Sequence, residues 1–194
     1  DSDMAANTTY VGLVTTTPAK AVWDSGYKIV THLGQAPSGT APQVKDSTTN
    51  VKHGTSASTM TSADLVAGKI GDGLDLDGTD DHIDFGDAFY SDTLTFEAII
   101  KVDDLDDIQT IIAKRNSSGD TSGSTEYEFK VNPTSGTVSL IGFNGVSTAV
   151  SFTSTAAVSI GSYAHVVGVI SGNGNTSYIY INGAEDGSGS QTLA

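Results

Sequence analysis

Tyr163-Ala-His-Val-Val-Gly-Val-Ile-Ser171 and, after a short polar break, Thr176-Ser-Tyr-Ile-Tyr-Ile-Asn182 decide how this chain is read. β-Branched and aromatic residues dominate both runs, as suits a pleated, half-buried surface. A period of two puts His165, Val167 and Val169 on one face, with Tyr163 beginning it. Asn182-Gly183 then supplies a hairpin-turn signal. Upstream, Leu94-Thr-Phe-Glu-Ala-Ile-Ile-Lys101 alternates in the same way and aligns Phe96, Ala98 and Ile100. Further strand candidates are Leu74 to Leu76, His82 to Phe85, Gln109 to Lys114, Thr125 to Val131, Thr137 to Phe143 and Val146 to Phe152. Asp77-Gly78 and Asn144-Gly145 punctuate them. About a dozen short strands with hardly a helix-period stretch predict an all-β, antiparallel sandwich or barrel.

Composition narrows the function. The 194 residues carry 9 Lys and Arg against 23 Asp and Glu, a net charge of −14. A phosphate backbone calls for clustered cations, so nucleic acid is an unsuitable partner, and anionic membrane surfaces are disfavoured by the same sign. No apolar run approaches the roughly 18 residues of a membrane span, so no membrane insertion is expected. With no Cys, disulfides, thiolate zinc sites and Cys nucleophiles are excluded. Ser and Thr number 23 and 25, a composition that favours strands and polar loops over helices.

Toward the N-terminus the signals thin out. Thr9 to Val14 reads as a strand before a Thr-rich connector, and Trp23 to Leu33 as a turn leading into a half-buried strand. Gln35 to Thr61 is rich in Ser, Thr, Gly and Pro, which predicts a long surface loop with room for one short strand. Ala63 to Ala67 makes at most one helical turn.

Four stretches in order resemble the laminin-G-like, concanavalin-A-like jelly-roll family. They are Lys45-Asp-Ser-Thr-Thr-Asn-Val-Lys-His-Gly-Thr55, Gly68 to Ile83 with its Leu-Asp-Leu-Asp-Gly-Thr-Asp-Asp core, Leu94 to Lys101, and Gly161 to Val169 followed by Tyr178-Ile-Tyr-Ile-Asn-Gly183. Ala21 to Leu33 is similar to a junction found in secreted prokaryotic multidomain proteins. The resemblance implies a jelly-roll domain over residues 21–194, with residues 1–20 an N-terminal segment or remnant of an upstream domain. Family members carry two further strands after the Asn-Gly turn, often with a Gly-x-Ile-Asp-Glu-Val-Arg-Ile stretch. The expectation here is therefore a sandwich that lacks its last strands, to be closed by continuation of the chain, by a neighbouring copy, or by the Gly183 to Leu193 tail.

Several constellations carry chemistry. Twelve Asp and Glu97 fall between Asp72 and Asp107. They suggest Ca²⁺, set against solvated loops and turn caps, and the EF-hand spacing is absent. By resemblance the family often holds one structural Ca²⁺, and Asp46 is the single residue it singles out as a metal ligand. Glu126 and Glu128 share a strand face, as paired glycosidase carboxylates could, and the reading preferred for them is an exposed strand face without catalysis. The Glu-x-Asp-x-Glu strand of related glucanases is absent, so no catalytic residue is expected. His32, His53, His82 and His165 are scattered, and His165, on an apolar strand, reads as a hydrogen-bonded core residue. Phe143, Asn144 and the Tyr178 to Asn182 hairpin are conceivable sugar contacts, though no sugar site is singled out. Asn7, Asn116 and Asn175 head glycosylation sequons.

Two functions of different classes follow. The first is a non-catalytic adhesion or carbohydrate-binding module of a larger extracellular or cell-surface protein, with a glycan or surface protein as partner. The second is a structural subunit of a surface filament or virion, acting through contacts with other copies of itself.

Overall fold

The computed structural model describes residue 20 and residues 22–87, 91, 93–114, 127–143, 148–172 and 174–190. Between residues 22 and 190 the described chain contains no α-helix. The strand expected at Thr9 to Val14 and the boundary at residues 20–21 fall at or beyond the edge of the described residues. Two compact units are present, Asp1–Phe89 and Tyr90–Ala194.

In the first unit the strands are short: β1 (Thr55–Ser56), β2 (Leu65–Ala67), β3 (Asp72–Leu74) and β4 (Ile83–Asp84). β1 pairs antiparallel with β4, and β2 with β3. Thr61 caps a 3₁₀ turn, Ser62–Asp64, through a capping box with Asp64. Two readings of this region need correction. Trp23 to Leu33 forms no strand and contributes only an isolated bridge, Thr31 to Asp46. Nor is Gln35 to Thr61 a surface loop throughout, because Pro37, Val44, Asp46, Ser47, Thr48, Ser56 and Met60 are buried. Side-chain acceptors replace sheet partners there, which is how an irregular backbone becomes tolerable inside a protein.

The second unit is a sandwich of two antiparallel four-stranded sheets. One has the order β12-β11-β10-β5, built from β5 (Thr93–Lys101), β10 (Tyr163–Ser171), β11 (Thr176–Ile181) and β12 (Ala184–Ser190). The other has the order β6-β7-β8-β9, from β6 (Gln109–Lys114), β7 (Tyr127–Val131), β8 (Thr137–Phe143) and β9 (Thr148–Ala157). Strand alternation turns Phe96, Ala164, Val166, Ile170 and Ile179 of one sheet toward Tyr127, Phe129, Val131, Val138 and Leu140 of the other. Phe129 is fully buried. A Cβ added at Gly168 would lie 3.1 Å from its ring, so a residue without a side chain lets the sheets close at that point. Phe96 lies beside both Tyr127 and Phe129, with ring centroids 4.6 and 6.2 Å away.

β12 occupies the stretch that sequence presents as a tail. The Asn182-Gly183 turn, with φ of 52° and 83°, reverses the chain in the conformation that two-residue hairpins require. Its sequence, Ala-Glu-Asp-Gly-Ser-Gly-Ser, contains no large apolar residue. What seats it is the absence of side chains. A Cβ at Gly189 would meet Phe152 at 2.8 Å, and one at Gly187 the Thr153 carbonyl at 3.0 Å. Asp186 accepts the Ala156 N–H at 2.7 Å and ties β12 to β9. Among the described residues, no strand pairs with the edge of β5 that faces away from β10.

Gly189→Ala is therefore expected to cost about 1–3 kcal/mol by overpacking. The neighbouring exposed Ser188→Ala should stay within about 0.5 kcal/mol. Phe129→Ala should lose about 3–5 kcal/mol. Denaturant melts of the three variants check this, and unchanged stability of Gly189→Ala would refute the close seating of β12.

Candidate functional site

Asp46 is fully buried in the first unit. Its Oδ1 accepts the N–H groups of Val30 (3.1 Å) and Thr48 (2.9 Å). Its Oδ2 accepts the Thr48 hydroxyl (2.8 Å) and the Lys52 N–H (2.9 Å). Burial alone would raise the pKa, but the Thr48, Val30 and Lys52 amides and the Thr48 hydroxyl outweigh it and hold the carboxyl below its usual range. The Asp46 N–H donates in turn to Nδ1 of His53 at 2.9 Å. Burial, with Lys45 and Lys20 adding to it and Asp46 opposing, lowers the His53 pKa. The residue singled out for metal ligation thus spends four acceptor positions on binding its own loop, and a cation there would have to displace those donors.

Asp77, Asp80 and Asp81 form an acidic cluster, with one carboxylate oxygen of each within 4.8 Å of the others. It sits on the Asp77-Gly78 turn between β3 and β4, where Gly78 adopts φ of 74°. Asp77 Oδ1 accepts the N–H groups of Thr79 (2.8 Å) and Asp80 (3.3 Å), the turn-capping role its sequence predicts. The Thr79 amide is the main cause of its lowered pKa. Asp81 is shared between the Asp77 N–H (3.2 Å) and the Thr59 hydroxyl (3.2 Å). His82 donates from Nδ1 to the Asp80 carbonyl. His32 is exposed and lies near Trp23.

On the outer side of the β6-β7-β8-β9 sheet, Glu128 is buried, at 5% exposure, and pairs with Lys130 at 3.2 Å. It does not belong to an exposed strand face, as its sequence suggested. Its proposed companion Glu126 lies outside the described residues. Asn132 donates to Ser139 Oγ (2.7 Å), which bonds Thr153 Oγ1 (2.8 Å), a short polar ladder at one end of this face. Asn144, Asn7 and Asn116 lie outside the described residues. Asn175 is exposed in the β10–β11 turn and donates to the Ser171 carbonyl.

The outer side of the β12-β11-β10-β5 sheet is different. Register places Thr95, Val169, Tyr178 and Ser188 in one row across the four strands, and Glu97, Val167, Tyr180 and Glu185 in the next. Tyr178 and Tyr180, two residues apart on β11, project to the same side with ring centroids 6.1 Å apart and 35° between planes. His165, read as a core residue, stands on this outer face, its side chain 38% exposed, and donates from Nε2 to Glu97 Oε1 at 2.9 Å. It is hydrogen-bonded as expected, but the phase of β10 turns Ala164 and Val166 inward and His165 outward. Ile99 and Tyr163, 49% and 37% exposed, extend the apolar surface. Lys101 at the far end pairs with Asp103 at 3.1 Å. Of the sugar contacts considered from sequence, Tyr178 and Tyr180 are brought together. Glu97 carried no motif, and only its register on β5 reveals it.

The Asp46 knot makes the first unit acid-labile, with a definite sign. The folded pKa of Asp46 is depressed, so its contribution is complete above its unfolded value, near 4, and is lost as pH falls through the lower folded value. His53 is also depressed, so the unfolded chain takes up a proton first and stability begins to fall below about pH 6.5. Asp46→Asn should cost about 1–3 kcal/mol at neutral pH by leaving a donor without an acceptor. It should also flatten the loss of stability below about pH 4, read as melting midpoint against pH.

Comparison with known proteins bears on residues 77–194, which match a laminin-G-like family model described as the concanavalin A-like lectin/glucanases superfamily. No curated protein and no solved structure matches the chain. Of the four resemblance stretches, the last two lie within the matched region, and the second enters it at Asp77. The match covers more than half of the 194 residues and coincides with both four-stranded sheets, so the chain belongs to the concanavalin A-like lectin/glucanase superfamily.

Proposed function

We propose that this chain is a non-catalytic, glycan-binding module of an extracellular or cell-surface protein, and that it binds through the outer face of the β12-β11-β10-β5 sheet. The observation that carries this is the Tyr178–Tyr180 pair and the Glu97–His165 pair on one outer sheet face. Sugar rings stack their C–H faces on aromatic rings, while carboxylate and imidazole groups orient the hydroxyls. Strand spacing supports the non-catalytic part. Glu97 and Glu185 lie three strands apart in one row, about 14 Å backbone to backbone. Glycosidase carboxyl groups stand roughly 5–9.5 Å apart. Glu128, for its part, is buried against Lys130 rather than presented to a substrate.

Calcium enters the same reading as a stabiliser of the Asp77–Asp81 turn. Three carboxylates there approach one another, and Asp77 and Asp81 already order the turn. Carboxylate-rich loops are the hard-oxygen environment that Ca²⁺ takes.

Immobilised neutral and amino-sugar oligosaccharides should retain the full chain, and Tyr178→Ala and Tyr180→Ala should each weaken retention by roughly tenfold, about 1.4 kcal/mol. Circular dichroism would confirm that both variants fold, and undiminished retention would defeat the assignment of the face. Millimolar Ca²⁺ should raise the melting midpoint over that with chelator, by linkage to the native state, and Asp80→Asn should remove the difference. Identical midpoints would eliminate calcium.

A further inference from the structure

The register of the outer face says more about the ligand. Tyr180 stands in a row between two carboxylates, with Glu185 on the adjacent strand and Glu97 two strands away, about 10 Å by strand spacing. Glu97 is exposed and uses Oε1 for His165, and Oε2 has no partner among the described residues. Glu185 is exposed and has no ion-pair partner among the described residues. Among the described residues, the cations on this face are Lys101, held by Asp103, and His165, when protonated, on Glu97. The chain as a whole carries a net charge of −14. That field repels uronic, sialic and sulfated sugars and draws cations toward the surface. The faces of tyrosine rings attract a positive charge for an independent reason, their quadrupole.

From this charge complementarity we infer that the glycan taken on the Tyr178–Tyr180 face carries free, protonated amino groups. The ligand class is an oligosaccharide of unacetylated hexosamine. The inference rests on the glycan-binding reading of the same face. A sugar ring stacks on Tyr178 or Tyr180, and its ammonium group lies toward Glu97 or Glu185. N-acetylation removes the charge and leaves both carboxylates with only neutral partners, which lowers affinity.

Three hexamers of the same β-1,4 backbone test this, because they differ only at C2: glucosamine (ammonium), N-acetylglucosamine (amide) and glucose (hydroxyl). Calorimetric titration of the full chain at about pH 6, where carboxylates are ionised, should show the glucosamine hexamer binding roughly tenfold or more tightly than the others. Glu97→Gln and Glu185→Gln should each reduce that preference, while Tyr178→Ala should weaken all binding. Equal affinity for the three hexamers would overturn the amino-sugar inference and leave the glycan reading standing. Binding of none would overturn both. Hexalysine bound as tightly as the glucosamine hexamer, with Tyr178→Ala changing neither, would show attraction by charge alone and overturn the inference as well.

Discussion

The ring of Phe129 against the backbone of Gly168 is the contact on which the second unit depends. The ring is fully buried, and a Cβ at the facing position would press on it at 3.1 Å. Once β7 and β10 are fixed face to face there, strand alternation settles the remaining inward positions. Phe96, Val166 and Ile179 close one side, and Val131, Val138 and Leu140 the other. It also settles what must point outward. Tyr178, Tyr180, Glu97 and His165 share a surface because their neighbours along each strand are committed to the core.

The first unit solves the same problem with polar chemistry. Its strands are two or three residues long and offer few ladder hydrogen bonds. The backbone of residues 30–52 is instead gathered onto one buried carboxylate, Asp46, whose acceptor capacity is filled by three amides and a hydroxyl. Ionised hydrogen bonds of this kind are strong, and the carboxylate must stay charged to hold them. Order in this unit is therefore electrostatic at its centre, whereas in the second unit it comes from packing.

How far the sequence discloses this depends on whether a signal is local. β5, β6 and β8 are legible almost residue for residue, because period-two alternation and turn residues sit inside each stretch. β12 is not. Gly187 and Gly189 read as loop residues until Phe152 and Thr153 are known to press on them. The half-buried strand expected before Leu33 fails for a similar reason: Val30 spends its N–H on Asp46 instead of a sheet. Asp46 itself stands out by resemblance, yet its hydrogen-bonding partners become visible only in three dimensions. For the aromatic face, Tyr178 and Tyr180 were visible as an alternating pair, but Glu97 joins them only through the β5–β10 register.

The segregation of inner and outer residues also bears on how such a domain can change. Thr95, Glu97, Val167, Val169, Tyr178 and Tyr180 contribute to a continuous surface, while the packing of the sandwich is carried by the residues between them. A substitution on that surface changes the outer chemistry of the sheet and leaves the interior packing untouched. The outer surface can then drift by single exchanges, without passing through unfolded intermediates. The same property makes the four strands a ready scaffold for libraries in which only outward positions vary.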